Sequence, residues 1–296
     1  MTAKYAFIES VELDLPRRYG LKNMCRWAGV SASGFFHWRT RPASAQARRH
    51  AQLGALVAWS FQRSRGTYGY RRVHADLMRR GVTVGADLVR DLMRELDLVA
   101  CQPRPFRVTT IAGADGGTPD LLQRNFTATA PGHKLVGDIT YIHTWAGFGY
   151  LATVIDCYSK AVIGWAVADH MRTDLVIDAL AMARRNHTTE PDCIFHSDRG
   201  TQYTSHQLGD YLRQNAMRPS MGNTGICWDN AMAESFFAAL KNELVHRTAF
   251  PTIDHVKKAV ASYIEVFYNR ERLHSGLGYK TPHEVHTAYR TPPKAA

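Results

Sequence analysis

Three carboxylates stand where side chains can do chemistry. Asp138 lies inside the strand-like run LVGDITYI; among apolar neighbours it either faces a site or breaks the strand pattern at a cost. Asp198 ends the run IFHSDRG, and ligands and catalytic groups favour the C-terminal ends of sheet strands. Glu234 belongs to the helical run AMAESFFAALKNEL, whose apolar stripe passes through Ala233, Phe236, Phe237, Leu240 and Leu244. At ~100° per residue it lies about 120° from Leu240, on the flank of that stripe. Lys241, seven residues on, lies nearly above it. Carboxylates converging from two strands and a helix suit hard divalent cations, because Mg²⁺ takes oxygen ligands and keeps waters and substrate phosphates. Two such ions can activate an attacking oxygen and stabilise a leaving one during in-line phosphoryl displacement. Taken singly, each acid has a plainer role: Asp138 as a cap or an arginine's partner, Asp198 as a turn residue in SDRG, Glu234 as a surface residue.

For these acids to meet, a sheet must carry the aspartates and a helix must lean on it. From residue 134 the runs KLVGDITYIHTW, GYLATVIDCYS and KAVIGWAVAD are strand-like, rich in Val, Ile, Tyr and Trp. The AGF and SK segments between them are short, so antiparallel neighbours are expected. RTDLVIDALAMARRN then predicts a helix capped near Thr173, PDCIFHSD a strand, and TSHQLGDYLRQNA a helix capped near Ser205. RPSM reads as a brief strand and GNTGICWDN as a glycine-rich loop. AMAESFFAALKNELVH and IDHVKKAVASYIEVFYNRERL close the series as helices. The fold class expected is α/β: a mixed sheet with helices on both faces.

Upstream, residues 16–100 read as mostly helical. In LKNMCRWAGVSASGFFHW, Met24, Cys25, Trp27 and Ala28 are expected on one helix face, with Ser31 or Ser33 capping a helix that carries Phe35, Phe36 and Trp38. A long helix follows through Ala43–Arg63. YGYRRVHADLMRRG places Val73, Leu77 and Met78 at helical spacing and ends at Gly81. After a short turn, ADLVRDLMREL repeats the pattern with Leu88, Val89, Leu92, Met93 and Leu96, which is a helix-turn-helix outline. Arg71, Arg72, Arg79, Arg80, Arg90 and Arg94 decorate it, favouring DNA binding over an ordinary helical hairpin. The expected organisation is a basic helix-turn-helix region over 1–100, a linker over 101–133 with Pro103, Pro105, Pro119 and Pro131, and a catalytic core over 134–290.

Charge follows the same division. Residues 1–110 hold 19 Lys/Arg against 8 Asp/Glu, a net of +11, whereas residues 111–296 hold 18 of each. Seventeen of the 19 cations are Arg, the side chain suited to forked contacts with phosphate and guanine. The apolar fraction of 45% supplies a sizeable core and excludes wholesale disorder. The five cysteines lie far apart with no C-x-x-C, so reduced thiols in a cytoplasmic, nucleoid-associated protein are expected. No signal peptide and no apolar run of about 18 residues appear, so neither export nor a membrane span is expected.

At GDITYI, HSDRGTQY, DNAMAESFFAALKNEL and YNRERLHSGLGYKTPHEV the chain resembles the DDE transposases of bacterial insertion sequences, and more closely the OrfB protein of the IS-three family, related to the retroviral integrase core. Thirty-five residues separate Asp198 from Glu234, and a basic residue, Lys241, follows Glu234 by seven, as in that family. The resemblance implies an RNase H-like core, with Asp138, Asp198 and Glu234 as catalytic and metal-binding residues. It implies Mg²⁺ as cofactor, two ions, with Mn²⁺ able to substitute. It further implies Lys241 at the DNA end and the helix-turn-helix on the terminal inverted repeats; the arginines that decorate that motif make Arg71, Arg72, Arg79, Arg90 and Arg94 the expected contacts. Tyr203 and Asn230 flank the motifs; Asp156 is read as structural, and His196 as supporting the site rather than acting as its base. HKLVGD departs from the family in having Leu135 and Gly137 where Trp and Thr are usual. The partners implied are DNA, further copies of the chain on DNA, and an OrfA-type protein. The function implied is a transposase that cleaves element ends and joins the 3′-hydroxyls to target DNA. The alternatives are a non-catalytic DNA-binding remnant or repressor, and a metal-dependent nuclease without strand transfer.

Overall fold

A computed structural model of the chain describes residues 1–14, 19–101, 117–222 and 227–290. Pro103, Pro105 and most of the GNTG loop lie outside the described residues. Two compact units, 1–56 and 57–296, divide the chain, and the division falls within a helix.

The first unit contains α1 (Thr2–Asp14), α2 (Leu21–Trp27), α3 (Ala32–Thr40) and the start of α4 (Ala45–Arg63). Its core is Ile8, Met24, Cys25 and Phe35, with Tyr5, Val11 and Trp38 packed against them. Ser31 caps α3 by accepting the Gly34 N–H at 3.0 Å. The face expected through Met24, Cys25 and Trp27 is narrower: Trp27 is turned out and packs edge-on against Tyr19. Phe36 is likewise exposed, because α3 presents only Phe35 fully to so small a core.

The second unit opens with the helical pair α5 (Tyr70–Arg79) and α6 (Ala86–Glu95). Val73, Leu77, Val89, Leu92 and Met93 are buried, whereas Met78, Leu88 and Leu96 fall on the outer flanks and are exposed. Gly81 takes φ 77°, and the N–H groups of Gly81 and Val82 bond back to Met78 and Leu77, closing α5 with a Schellman turn.

Five strands follow: β1 (Lys134–Thr144), β2 (Gly147–Asp156), β3 (Val162–Ala168), β4 (Cys193–Ser197) and β5 (Met217–Met221). Their order is β3-β2-β1-β4-β5. The first three pair antiparallel through the expected short connections, and β4 and β5 run parallel to β1. This is the RNase H-like arrangement, with the strand carrying Asp138 at its centre. On one face Leu135, Val154, Ile163 and Phe195 pack with residues of α7 (Thr173–Asn186) and α8 (His206–Gln214). Each such side chain contributes about 1.5–3 kcal/mol by burial. Gly137 admits Phe195: a Cβ there would meet the ring at 2.3 Å, so the missing side chain is filled from β4.

Beyond β5 come α9 (Ala231–Glu243), α10 (Ile253–Ala261) and α11 (Pro282–Arg290). The single long helix expected over 253–273 is interrupted, since α10 widens into a π-helical turn at Ser262–Tyr268. That turn places Glu265 to accept from the Trp165 indole at 2.9 Å, and Asn269 just beyond it brackets the Val162 backbone at 2.9 and 3.0 Å. The latter half of the expected linker is fastened to the core: the Leu121 N–H bonds Ser220, and Arg124 pairs with Asp229 at 2.8 Å. Cys25, Cys101, Cys157 and Cys193 are free thiols. Among the described residues no helix is long and apolar enough to cross a membrane.

Candidate active site

Parallel pairing sets the positions of the two aspartates. The register Val136 opposite His196, carried two residues further at the same offset, brings Asp198 level with Asp138. Both are half-buried. Asp138 accepts the Ile139 N–H at 2.7 Å, and Asp198 accepts the Gly200 N–H at 3.0 Å. Neither is paired with an arginine or lysine among the described ion pairs. Burial first, and then the Asp198 and Glu234 charges, push Asp138 up to about 8, against the pull of its own backbone bond and of Lys241. Burial also raises Asp198, opposed by Gly200 and His196.

Glu234 stands in the first turn of α9, exposed, with its carboxyl raised by partial burial. Its charge reaches Asp138, but among the described residues no three His, Cys, Asp or Glu side chains stand close enough to hold one ion. The structure therefore brings the two aspartates together and leaves Glu234 at longer range. Lys241, two turns along α9, rests its ammonium 5.4 Å over the Tyr141 ring.

The surroundings fit a cation. Tyr203 is buried, its hydroxyl has no hydrogen-bond partner, and burial together with Asp138 and Asp198 holds the phenol well above its usual range. The Asn230 side-chain oxygen is also buried without a partner. Like charges side by side and orphaned polar atoms are costly unless a counter-ion or its waters engage them. A hard ion with few protein ligands meets that need.

Two neighbouring groups are structural. His196 is fully buried; its Nε2 donates to the Asp229 carbonyl at 2.9 Å and its Nδ1 accepts from Ser220 at 2.8 Å. Both ring nitrogens are thus engaged, and burial lowers its pKa, so it has no free nitrogen to serve as a base. Asp156 accepts from Gly132, from the Ser159 N–H and from the Ser159 hydroxyl at 3.0, 2.8 and 2.5 Å, which ties off the end of β2.

The arginines divide into two groups. Arg72 approaches Glu243 at 3.8 Å and stacks over Tyr68, and Arg79 pairs with Glu284 and bonds the Tyr279 carbonyl. These two fasten α5 to the C-terminal segments. Arg71 lies outward against Tyr70, Arg90 is shared between Asp87 and Asp91, and Arg94, among the described ion pairs, meets Asp91 at 3.5 Å.

Sequence reasoning missed Glu243 and Arg272. Arg272 grips Glu243 through Nε and Nη2 at 2.7–2.9 Å, both are buried, and the Tyr263 hydroxyl completes the knot at 2.8 Å. The only trace in sequence is the pair of words KNEL and RERL, 29 residues apart, which nothing local marks as partners.

Residues 128–227 and 215–282 match models of the integrase core domain, and residues 48–106 match an HTH-like domain. Transposase InsF for insertion sequence IS3A of Escherichia coli strain K12 is 37% identical over 288 residues, covering 95% of this chain and 97% of that protein. The chain belongs to the IS3-family transposases. The 31 kDa protein of insertion element IS600 from Shigella sonnei is also 37% identical, over 260 residues, with 88% and 96% of the two chains covered. The HTLV-2 integrase catalytic core domain, solved in complex with magnesium, aligns with 53% of this transposase and 98% of that domain at 18% identity. Its TM-score is 0.41. The transposase is accordingly a DDE-type polynucleotidyl transferase that acts on DNA, and its integrase core implies dependence on a divalent metal.

Proposed function

We propose that Asp138, Asp198 and Glu234 are the residues that carry strand cleavage and joining at the ends of an insertion element. The observation that supports this most directly is the pair of aspartates held level by β1 and β4, raised in pKa and, among the described ion pairs, without an arginine or lysine partner. The ions are two Mg²⁺, replaceable by Mn²⁺. When bound they supply charge stabilisation to the attacking and leaving oxygens of an in-line displacement. Asp138 and Asp198 would hold the ions from the sheet, and Glu234 would complete the set from α9. Lys241 meets a phosphate of the bound strand. Tyr203 donates its free hydroxyl to the site and keeps that wall dry.

In the same reading, residues 1–100 form the helix-turn-helix region, 101–133 the connection and 134–290 the catalytic core. Arg71, Arg90 and Arg94 meet terminal-repeat phosphates or bases. Arg72 and Arg79 serve DNA binding indirectly, by holding α5 in place. Joining two ends calls for at least two copies of the chain, and an OrfA-type protein is the further partner. The protein works at the bacterial nucleoid.

The test is a strand-transfer assay with labelled element ends, a plasmid target and Mg²⁺ or Mn²⁺. Asp138→Asn and Glu234→Gln should each abolish joining while DNA binding stays near wild type. Full joining by either variant refutes the assignment. Cleavage without joining by the wild-type chain identifies a nuclease, and neither reaction identifies a DNA-binding remnant.

A further inference from the structure

The β1–β2 hairpin carries an aromatic surface that the reading above does not use. Tyr141, Trp145 and Phe148 are 58%, 76% and 46% exposed. The strand register sets His143 opposite Phe148 and Tyr141 opposite Tyr150, so these rings share one face of the hairpin. The Phe148 ring centroid lies 5.5 Å from that of Tyr141 and 5.2 Å from that of His143, edge to face in both cases. Trp145 projects at the turn, where its backbone N–H is held by the Phe250 carbonyl at 3.0 Å. Large, partly exposed side chains are thus held on a fixed backbone.

Exposed aromatic groups of this kind mark a binding surface. Two observations say which. Residues 139–153 include no Asp, Glu, Lys or Arg, so the face repels no polyanion. The cation beside it is Lys241, which stacks on Tyr141 and whose charge also reaches Asp138. The link to the carboxylate pair is Lys241: Tyr141 lies three residues beyond Asp138 on β1, roughly 10 Å along the strand and on its other face, and the Lys241 ammonium serves both. A phosphate held at Asp138 and Asp198 and met by Lys241 would have its neighbouring nucleotides within reach of the hairpin. Unpaired bases stack on aromatic faces with little regard to sequence, whereas paired bases in a duplex have no face to offer.

We propose that Tyr141, Trp145 and Phe148 form a stacking platform for unpaired bases adjoining the reacting phosphate, so that the transposase grips a frayed or single-stranded end more tightly than a blunt one. The proposal rests on the active-site reading for the position of that phosphate. It is tested by binding rather than by catalysis, so the two can fail separately.

The experiment uses the full chain without divalent metal. It compares a blunt duplex with one carrying a short single-stranded extension that contains 2-aminopurine. Wild type should bind the extended duplex more tightly and quench the 2-aminopurine fluorescence. Trp145→Ala and Phe148→Ala should each weaken extended-end binding about tenfold, leave blunt-end binding unchanged and relieve the quenching. Trp145→Phe should restore both. The loss should persist at raised salt, because stacking, unlike phosphate contact, is little screened. Equal affinity of wild type for the two ends, or quenching that survives both alanine variants, overturns the proposal. So does a changed sedimentation coefficient in the alanine variants with DNA binding unaltered, which would make the face a contact between copies. Asp138→Asn in the strand-transfer assay then judges the active-site reading independently.

Discussion

Two carboxylate clusters, little more than a helix apart, are built on opposite principles. Glu243, at the C-terminal end of α9, is surrounded by donors: three Arg272 contacts, the Tyr263 hydroxyl and Arg72 at 3.8 Å. Burial works against the Arg272 charge, but Glu243 prevails and raises its pKa. Toward the other end of the same helix, Asp138 and Asp198 each accept one backbone N–H, and Asp138 has the like charges of Asp198 and Glu234 beside it. Folding alone favours the first arrangement, since a buried charge is tolerable when paired and costly when not. The second is costly to fold, and a cation bound there would offset that cost. Strongly perturbed, unpaired acids in a half-buried site are for that reason a mark of function rather than of architecture.

The most forceful way to break the comparison is to neutralise one acid in each cluster. Asp138→Asn should lower metal-dependent strand transfer by ~10³-fold or more, read with labelled element ends, while leaving thermal stability equal or higher. Glu243→Gln should do the reverse to stability, lowering it by about 3–5 kcal/mol in urea titration, because Arg272 is left buried without its partner. Adding Arg272→Met should recover much of that loss, and a double-mutant cycle measures the coupling. If Glu243→Gln is benign, the knot is not holding α9 to the π-helical turn, and the two clusters are less different than their geometry says.

The two candidate aspartates stood out in sequence because a charge in the middle of LVGDITYI and another at a strand end contradict their surroundings. The β1–β2–β3 meander was legible for the related reason that its connections are too short for anything but antiparallel neighbours. Glu243 was not legible. In LKNELVH it looks like any helix-surface acid, and only the tertiary approach of Arg272 makes it a buried one. The same holds for Arg72 and Arg79, counted by composition among the DNA contacts but drawn in the fold onto Glu243 and Glu284. Sequence pattern reports which residues conflict with their local element; it does not report which charges tertiary packing will pair. The interruption of the last long helix escaped for a similar cause, since nothing in ASYIEVFY breaks helical periodicity and the π turn is set by contacts to β3.

A change of pH sharpens the comparison with a smaller effect. In the metal-free protein the folded state keeps a proton on Asp138 up to about pH 8, whereas the unfolded chain releases it near 3.8. Between those values the folded state binds more protons, so stability falls as pH rises toward 8. Tm of the metal-free wild type should therefore decline from pH 6 to pH 9, and Asp138→Asn should flatten that decline. Mg²⁺ should flatten it as well, because an ion that binds the ionised pair removes the penalty. A decline of the same slope in Asp138→Asn would show that the raised carboxyl lies elsewhere.

The smallest expected effect concerns the arginines, where the same distinction between satisfied and unsatisfied charge applies. Arg94 is largely exposed and, among the described ion pairs, meets Asp91 at 3.5 Å, so its charge is available to a phosphate. Arg79 already has a carboxylate and a carbonyl from the C-terminal segments. If availability decides, Arg94→Ala should weaken binding to terminal-repeat DNA a few-fold and reduce the log–log salt slope by about one, with Tm unchanged. Arg79→Ala should leave the salt slope nearly as it is, and lower Tm slightly, because a surface ion pair contributes at most about 1 kcal/mol. The reverse pattern, a reduced slope for Arg79→Ala and none for Arg94→Ala, would mean that DNA displaces Glu284 and that α5 rather than α6 faces the phosphates. In that event the contacts that fasten the helical pair to the C-terminal segments would be broken whenever DNA binds, and Arg72, less exposed and nearer Glu243, would be the sole anchor of the two left in place.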